Sequence, residues 1–318
     1  MVPISESKAK VVPSYNPSEQ SYNPSEQSYN SSEQSYNSSE QITTILQRLT
    51  GHPFIALTTR GNTAIDAAVS LLPKEKKVLI PDEGGWLHYR KGPELAGLKI
   101  EEVRCRQAVL DIADLRDKLS TKTFSALLYQ NPGGYFAEQP MEDIYRLCQS
   151  YGCLVIIDVS GALGTKLCDG RYADFFVGSF GEWKLVDAGS GGFISGKNKT
   201  LFKTLQLSKE NPEAHNLTTA ALMAIVQRIH KLPQRIKFLL SERQNAIQGL
   251  AEFGLKKNIV KTEDLGFVVI ALFSELKEKE TIINYCTKRG LPWTECPRYI
   301  RINEPAISIE IKKLQNVG

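Results

Sequence analysis

From about residue 42 onward, short apolar runs alternate with stretches in which apolar residues recur every three or four positions. The first such stretch, ITTILQRLTG, reads as an amphipathic helix ended by Gly51, and PFIALTTRGN follows as an apolar segment running into a turn. TAIDAAVSLL has helical spacing up to Pro73, KVLIP reads as a strand, and DEGGWLHYRKG as a glycine-containing loop. GLKIEEVRC is a further strand, and DIADLRDKLS is a helix entered at an aspartate cap. SALLYQ is a continuous apolar strand ending at NPGG, and MEDIYRLCQSYG is a helix closed by Gly152. CLVIIDV is the strongest buried strand, and FFVGSF and GGFIS flank the loop GEWKLVDAGS. Beyond residue 213 the pattern predicts two helices, a strand in GFVVIALF, a helix over 275–289, a strand at RYIRI and a last helix.

Apolar strands separated by helices imply an α/β domain: a mostly parallel central sheet with helices on both faces. The expected division is a large α/β domain over 42–212 and a small C-terminal α+β domain over 213–318, preceded by a tail over 1–41. That tail is repetitive, with residues 14–41 running SYNPSEQ, SYNPSEQ, SYNSSEQ, SYNSSEQ. A coiled coil requires two apolar seam positions per heptad, and only the tyrosine qualifies here. Serine, asparagine, proline, glutamate and glutamine bury too little apolar surface to offset the entropy of ordering, so the tail is expected to be disordered.

Composition narrows the class. The 318 residues are 42% apolar and 23% charged, ordinary for a globular protein with a sizeable core. No apolar run approaches the length of a membrane helix, and no apolar stretch follows the first lysines as in a secretory leader. The 6 cysteines show no C-x-x-C and the 4 histidines no metal spacing, which disfavours a disulfide scaffold or a zinc module. A reduced, cytoplasmic setting is expected. Two lysines and five glutamates fall in residues 1–41, leaving 37 basic and 30 acidic groups in the body. A mildly basic body attracts anionic ligands such as phosphates, but no dense Lys/Arg run or RNP-like aromatic pattern points to nucleic acid.

Ligands of such sheets collect beyond the carboxyl ends of the strands, where the chain places RGNT, QNPGG, IDVSGALG and the SFGEWK…GSGG segment. Arg60-Gly61-Asn62-Thr63 opens a helix and offers free backbone N–H groups and a positive dipole end to a phosphate. Asp158 ends an apolar strand, a costly place for a carboxylate without a cationic partner. Lys184 lies in a glycine-flanked loop near buried strands, where an amine can serve as a nucleophile.

In that order, these segments resemble the fold type I enzymes dependent on pyridoxal phosphate, and in detail the DegT/StrS-type aminotransferase family. The family's S-G-T-x-A loop is similar to Gly61–Ile65, and its D-A-A-Q-A-x-G motif is similar to Asp158–Gly164, with Gly161 at the glutamine. Its S-F-x-x-x-K motif is similar to Ser179–Lys184, and its G-E-G-G to Gly189–Gly192. The resemblance implies that Lys184 is the catalytic Schiff-base lysine and proton shuttle, and that Asp158 pairs with the pyridine nitrogen. It implies Asn131 as donor to the phenolic oxygen, and Ser179 with Gly61, Asn62 and Thr63 around the phosphate. Trp86 is the expected ring-stacking aromatic, with His88 and Tyr89 as rivals. Arg301, in a strand before the last helix, is placed to clamp a substrate carboxylate. The resemblance further implies an amino-acid donor, a keto acceptor (a keto sugar among them) and a homodimer. A lyase or decarboxylase using the same cofactor, and a catalytically degenerate binding relative, are the alternatives.

Overall fold

The computed structural model describes residues 24–205 and 217–315, with side chains from residue 33 onward. Its helices and strands in chain order begin with α1 (Pro24–Thr50), β1 (Phe54–Thr58), α2 (Gly61–Val69), β2 (Lys77–Pro81), α3 (His88–Leu95) and β3 (Lys99–Val103). A small hairpin of β4 (Cys105–Arg106) and β5 (Val109–Leu110) leads into α4 (Ile112–Ser120), β6 (Phe124–Gln130), α5 (Met141–Ser150) and β7 (Leu154–Asp158). Next come β8 (Phe175–Ser179), β9 (Gly192–Gly196) and α6 (Lys199–Lys203). The C-terminal part holds α7 (Thr219–His230), α8 (Leu232–Glu252), β10 (Ile259–Val260), β11 (Val269–Leu272), α9 (Leu276–Lys288), β12 (Trp293–Cys296) and β13 (Ala306–Ile309).

The central sheet has seven strands in the order β1-β9-β8-β7-β6-β2-β3. From β3 to β8 every neighbour is parallel, and β9 alone turns antiparallel to both β8 and β1. Strands covered on both faces need no polar alternation, which is why β6 is buried at all seven positions and reads as one apolar run. Successive side chains still point to opposite faces. Ala126, Leu128, Ile156, Phe175 and Val177 pack with α2 on one face. Leu127, Tyr129, Val155, Ile157 and Phe176 pack on the other, with side chains of α1, α5, α7 and α8. That two-faced division decides below which side chains reach the site.

The small domain is a four-stranded antiparallel sheet in the order β10-β11-β13-β12. It is tied to the large domain at the sheet's carboxyl edge, where Phe267 N donates to Tyr135 O at 2.7 Å and Gly84 N to Tyr299 O at 2.7 Å. The Glu83 carboxylate adds a tie by accepting from Ala108 N at 2.7 Å and Asn303 N at 2.6 Å. The expected boundary at 212/213 lies outside the described residues. Among the described residues no helix is long and apolar enough to cross a membrane.

Four expectations are corrected. The sequence DEGGWLHYRKG is not all loop, since His88 begins α3. RYIRI is a turn rather than a strand, and the last helix is a single 3-10 turn at Ile311–Lys313. The repeat segment is ordered from Pro24, while residues 1–23 lie outside the described part. A seven-residue period spans two helical turns, so the repeat's serines fall in line with the apolar end of α1. Ser35, Ser38 and Ser39 continue the shielded stripe of Ile42, Leu46 and Leu49. Ser35 Oγ lies 2.6 Å from Thr219 Oγ1, and Gln41 Nε2 lies 2.9 Å from His230 Nε2, so the helix docks on α7 by polar contacts. Tyr36 faces outward and is 69% exposed.

Leu46 is wholly buried, so Leu46→Ala should lower unfolding stability by about 3 kcal/mol in a urea titration. Tyr36→Ala should stay within about 0.5 kcal/mol of the parent. Equal effects of the two substitutions would contradict the docking of α1.

Candidate active site

At the carboxyl edge of the sheet lies a cavity of about 590 Å³, lined by residues from the ends of β6, β7 and β8, the start of α2 and the C-terminal turn. Asp158 forms part of its wall and is 7% exposed. Its Oδ2 accepts from Tyr89 Oη at 2.9 Å and its Oδ1 from Ser160 N at 2.9 Å. Burial first, and then the Asp158 charge, push the Tyr89 hydroxyl well above the ordinary tyrosine value, so it stays a proton donor.

Lys184 follows Trp183, a residue in the left-handed region at φ 60°. That conformation costs a non-glycine residue roughly 1 to 2 kcal/mol and sits next to the Lys184 amine. Lys184 Nζ donates to Tyr135 Oη at 2.8 Å and lies 5.2 Å from the centre of the Trp86 ring. Burial acts to lower the ammonium's pKa, as does Arg301, but Tyr135 and Asp158 outweigh them and hold it above the ordinary lysine value.

Helix α2 begins at Gly61 with no side chain capping it, and Arg60, Gly61 and Asn62 line the cavity. A Cβ on Gly61 would stand 2.7 Å from Ser179 Cβ, so only glycine lets the helix start approach the end of β8 this closely. Ser179 also lines the cavity, whereas Thr63 does not. Trp86 does, and its Nε1 donates to Asn62 Oδ1 at 2.9 Å. Its rivals are engaged elsewhere: His88 Nε2 is 2.6 Å from Asp66 Oδ1, and Tyr89 serves Asp158.

Asn131 is not part of the cavity. Its Nδ2 contacts Met141 Sδ at 2.8 Å and Leu167 O at 3.3 Å, while its Oδ1 accepts from Gln139 N at 3.1 Å. The reason is strand parity. Asn131 continues the face of Leu127 and Tyr129, whereas Gln130 shares the face of Ala126 and Leu128 and is paired in register with Asp158. Gln130 lines the cavity, and its buried Nε2 has no hydrogen-bond partner.

Sequence reasoning also missed Tyr135, Glu310 and Lys312. Tyr135 lies in the loop after β6, and Gly161 makes room for it: a Cβ there would meet the Tyr135 ring at 2.7 Å. The glutamine of the resembled motif would occupy the space of that ring. Arg301 reaches the cavity wall but is fully engaged with Glu310. Its Nε is 3.0 Å from Glu310 Oε1 and its Nη2 2.5 Å from Oε2, while Nη1 donates to Ile300 O at 2.7 Å. Ser308 Oγ adds a bond to Glu310 Oε1 at 2.9 Å. Burial favours the neutral acid, but the Arg301 and Lys312 charges dominate and hold the Glu310 carboxyl at about 2. Among the described residues no group of histidine, cysteine and acidic side chains is arranged to hold a metal ion.

A mostly parallel sheet with a lysine and an aspartate gathered at its carboxyl edge is the fold of the class of pyridoxal-phosphate-dependent enzymes known as fold type I. Within that class, residues 101–225 match the DegT/DnrJ/EryC1/StrS aminotransferase family. No curated protein matches the chain by sequence. Among solved structures, the aminotransferase from Psychrobacter cryohalolentis is 12% identical at a TM-score of 0.69, covering 92% of this chain and 95% of that one. The 3-amino-5-hydroxybenzoic acid synthase is 13% identical at a TM-score of 0.67, covering 93% of each chain. A serine palmitoyltransferase from S. paucimobilis is 15% identical at a TM-score of 0.66, covering 88% of this chain and 73% of that one. At these identities the likeness is one of fold.

The residues present fit pyridoxal phosphate. The Gln130 amide is a buried donor without an acceptor, Lys184 supplies an amine beside an indole face, and Asp158 supplies a buried carboxylate. The close approach of Gly61 to Ser179 leaves backbone and hydroxyl donors for a phosphate.

Gln130→Leu should leave unfolding stability within about 0.5 kcal/mol yet weaken cofactor retention roughly tenfold in equilibrium dialysis. Asn131→Ala should do the reverse, costing about 1 to 3 kcal/mol of stability through its lost buried hydrogen bonds. Glu310→Gln should destabilise by about 3 to 5 kcal/mol, because Arg301 is left buried beside a neutral amide. Since the folded Glu310 carboxyl sits at about 2, below its unfolded value, the pairing contributes fully above about pH 5 and is lost as pH falls toward 2. Acid titrations of parent and variant should therefore converge at low pH.

Proposed function

We propose that this chain is an aminotransferase, moving an amino group from an amino-acid donor to a keto acceptor at the Lys184 cavity. The observation that carries the reading is the position of Lys184 Nζ, hydrogen-bonded to Tyr135 Oη at 2.8 Å and facing Trp86. When bound, pyridoxal phosphate supplies an electrophilic aldehyde and a ring that withdraws electrons. Asp158, whose carboxylate accepts from Tyr89 Oη and Ser160 N, would hold a proton at the ring nitrogen. Gln130 Nε2, buried without a partner, would donate to the cofactor's phenolic oxygen in the role expected of Asn131. Gly61, Asn62 and Ser179 would hold the phosphate, with Arg60 beside them in the cavity wall. Lys184 Nζ takes and returns the substrate proton, and the Tyr135 hydroxyl steadies the amine between those transfers. The indole of Trp86 covers one side and excludes water.

The family match over residues 101–225 supports amino-group transfer, and a keto sugar stays among the acceptors that the sequence resemblance implies. A homodimer, as the resemblance implies, is supported by Leu87 and Trp183, which line the cavity and are 58% and 43% exposed.

The purified protein with added pyridoxal phosphate should show a near-visible absorbance band, and borohydride should fix the cofactor on the peptide carrying Lys184. Lys184→Ala should abolish both, with turnover reduced at least a thousandfold. A plain amino acid should then yield pyridoxamine phosphate, quantified by chromatography. A band without that product would favour a lyase or decarboxylase, and no band in the parent protein would overturn the reading.

A further inference from the structure

Lys312 is a cation of the C-terminal turn whose side chain is largely buried in the cavity wall and whose nearest carboxylate stands beyond hydrogen-bond distance. Its side chain is 9% exposed, it lines the cavity, and its nearest carboxylate oxygen is Glu310 Oε2 at 3.8 Å. Glu310 is already engaged by Arg301, Ser308 and, at 3.3 Å, Thr294. Arg301 thus takes both Glu310 oxygens at hydrogen-bond distance, while Lys312 stands at 3.8 Å and keeps donors for a ligand.

The backbone holds this residue in place from both sides. Lys312 N donates to Phe267 O at 2.9 Å, and Arg235 Nη2 donates to Lys312 O at 2.9 Å. Its Nζ lies 5.0 Å from the centre of the Tyr135 ring, and Lys184 Nζ lies 5.2 Å from the same centre. The two amines therefore border one phenol ring and line one cavity, in which an amino acid would turn its amine toward Lys184 and its carboxylate toward Lys312.

Resting on the aminotransferase reading, we propose that Lys312, and not Arg301, binds the carboxylate of the amino donor, while Arg301 acts as an internal brace. An ammonium in the cavity wall with no carboxylate within hydrogen-bond distance is a stronger anion receptor than a guanidinium already bidentate to a carboxylate.

The placement has a consequence for pH. Burial above all, with Arg301, Lys184 and Lys313 adding repulsion and Glu310 opposing them, pushes the Lys312 amine down to about 7. Tyr135 and Trp183 present ring faces to it, the latter at 5.8 Å. The receptor is charged below neutrality and loses its proton above, so a bound carboxylate is held more tightly on the acid side.

The test is calorimetric titration of the cofactor-loaded protein with succinate, an unreactive dicarboxylate, at pH 6.5 and pH 8.5. The near-visible band and the melting temperature are read in the same samples. Parent affinity should fall about tenfold between the two pH values. Lys312→Met should lose at least about tenfold at pH 6.5 and show no further fall at pH 8.5. Lys312→Arg should retain affinity at both, because a guanidinium stays charged. Succinate binding by Lys312→Met equal to that of the parent, a flat pH response in the parent, or no succinate binding by the parent each overturns the assignment. Loss of the band in the parent would condemn the aminotransferase reading instead, which keeps the two failures apart.

Discussion

Three cations share one phenol ring. Lys184, Arg301 and Lys312 lie at 5.2, 5.6 and 5.0 Å from the centre of Tyr135, and the first also bonds its hydroxyl. Like charges gathered in a shielded space repel, and the arrangement holds only because a π face, a hydroxyl and the Glu310 carboxylate are set among them. Tyr135 is also where the two sheets meet, since its carbonyl accepts from Phe267 N at 2.7 Å. Its own backbone is left-handed, at φ 68°, so the loop after β6 is bent to deliver the ring. Gly161 is small for the same reason. The position of the small domain, the state of the lysine and the shape of the cavity all follow from one ring.

That dependence explains what could be read in the chain and what could not. Strands such as CLVIIDV and SALLYQ announce themselves because both faces of a parallel sheet are covered, and the apolar run ends where the sheet edge begins. Asp158, Lys184, Gly61 and Ser179 were legible for that reason: each stands just at or beyond a strand end, in a segment whose glycines serve a local turn. Gln130 and Asn131 differ by one position, and one position reverses the face. The spacing of Ala126, Leu128 and Gln130 against Leu127, Tyr129 and Asn131 holds that information, but which face carries the ligand depends on where α2 and α3 pack.

Tyr135, Glu310 and Lys312 had no local signal. Tyr135 and Lys312 act through contacts spanning 49 residues or more of sequence, Glu310 through a turn that no periodicity announces, and a lone acid or lysine near the end of a chain reads as solvated surface. The repeat segment failed for a different reason. Its composition disfavours autonomous order, but a helix that continues from a buried end need not nucleate, and propagation costs far less than nucleation. Ile42 and Leu46 provide that buried end.

The basic excess of the body acquires a location in this view. Of the groups lining the cavity, Arg60, Lys184, Arg298, Arg301, Lys312 and Lys313 are cationic, against Asp158, Glu182 and Glu310. Charges of one sign in a walled cavity reinforce each other far more than the same charges spread over a surface. They arrive from distant parts of the chain: Arg60 with the start of α2, the last four with the small domain. A ligand filling this space therefore requires negative charge at both places. A phosphate beside Gly61 meets the first, and a carboxylate at Lys312 meets the second, with Lys184 between them as the amine that works on what lies in the middle.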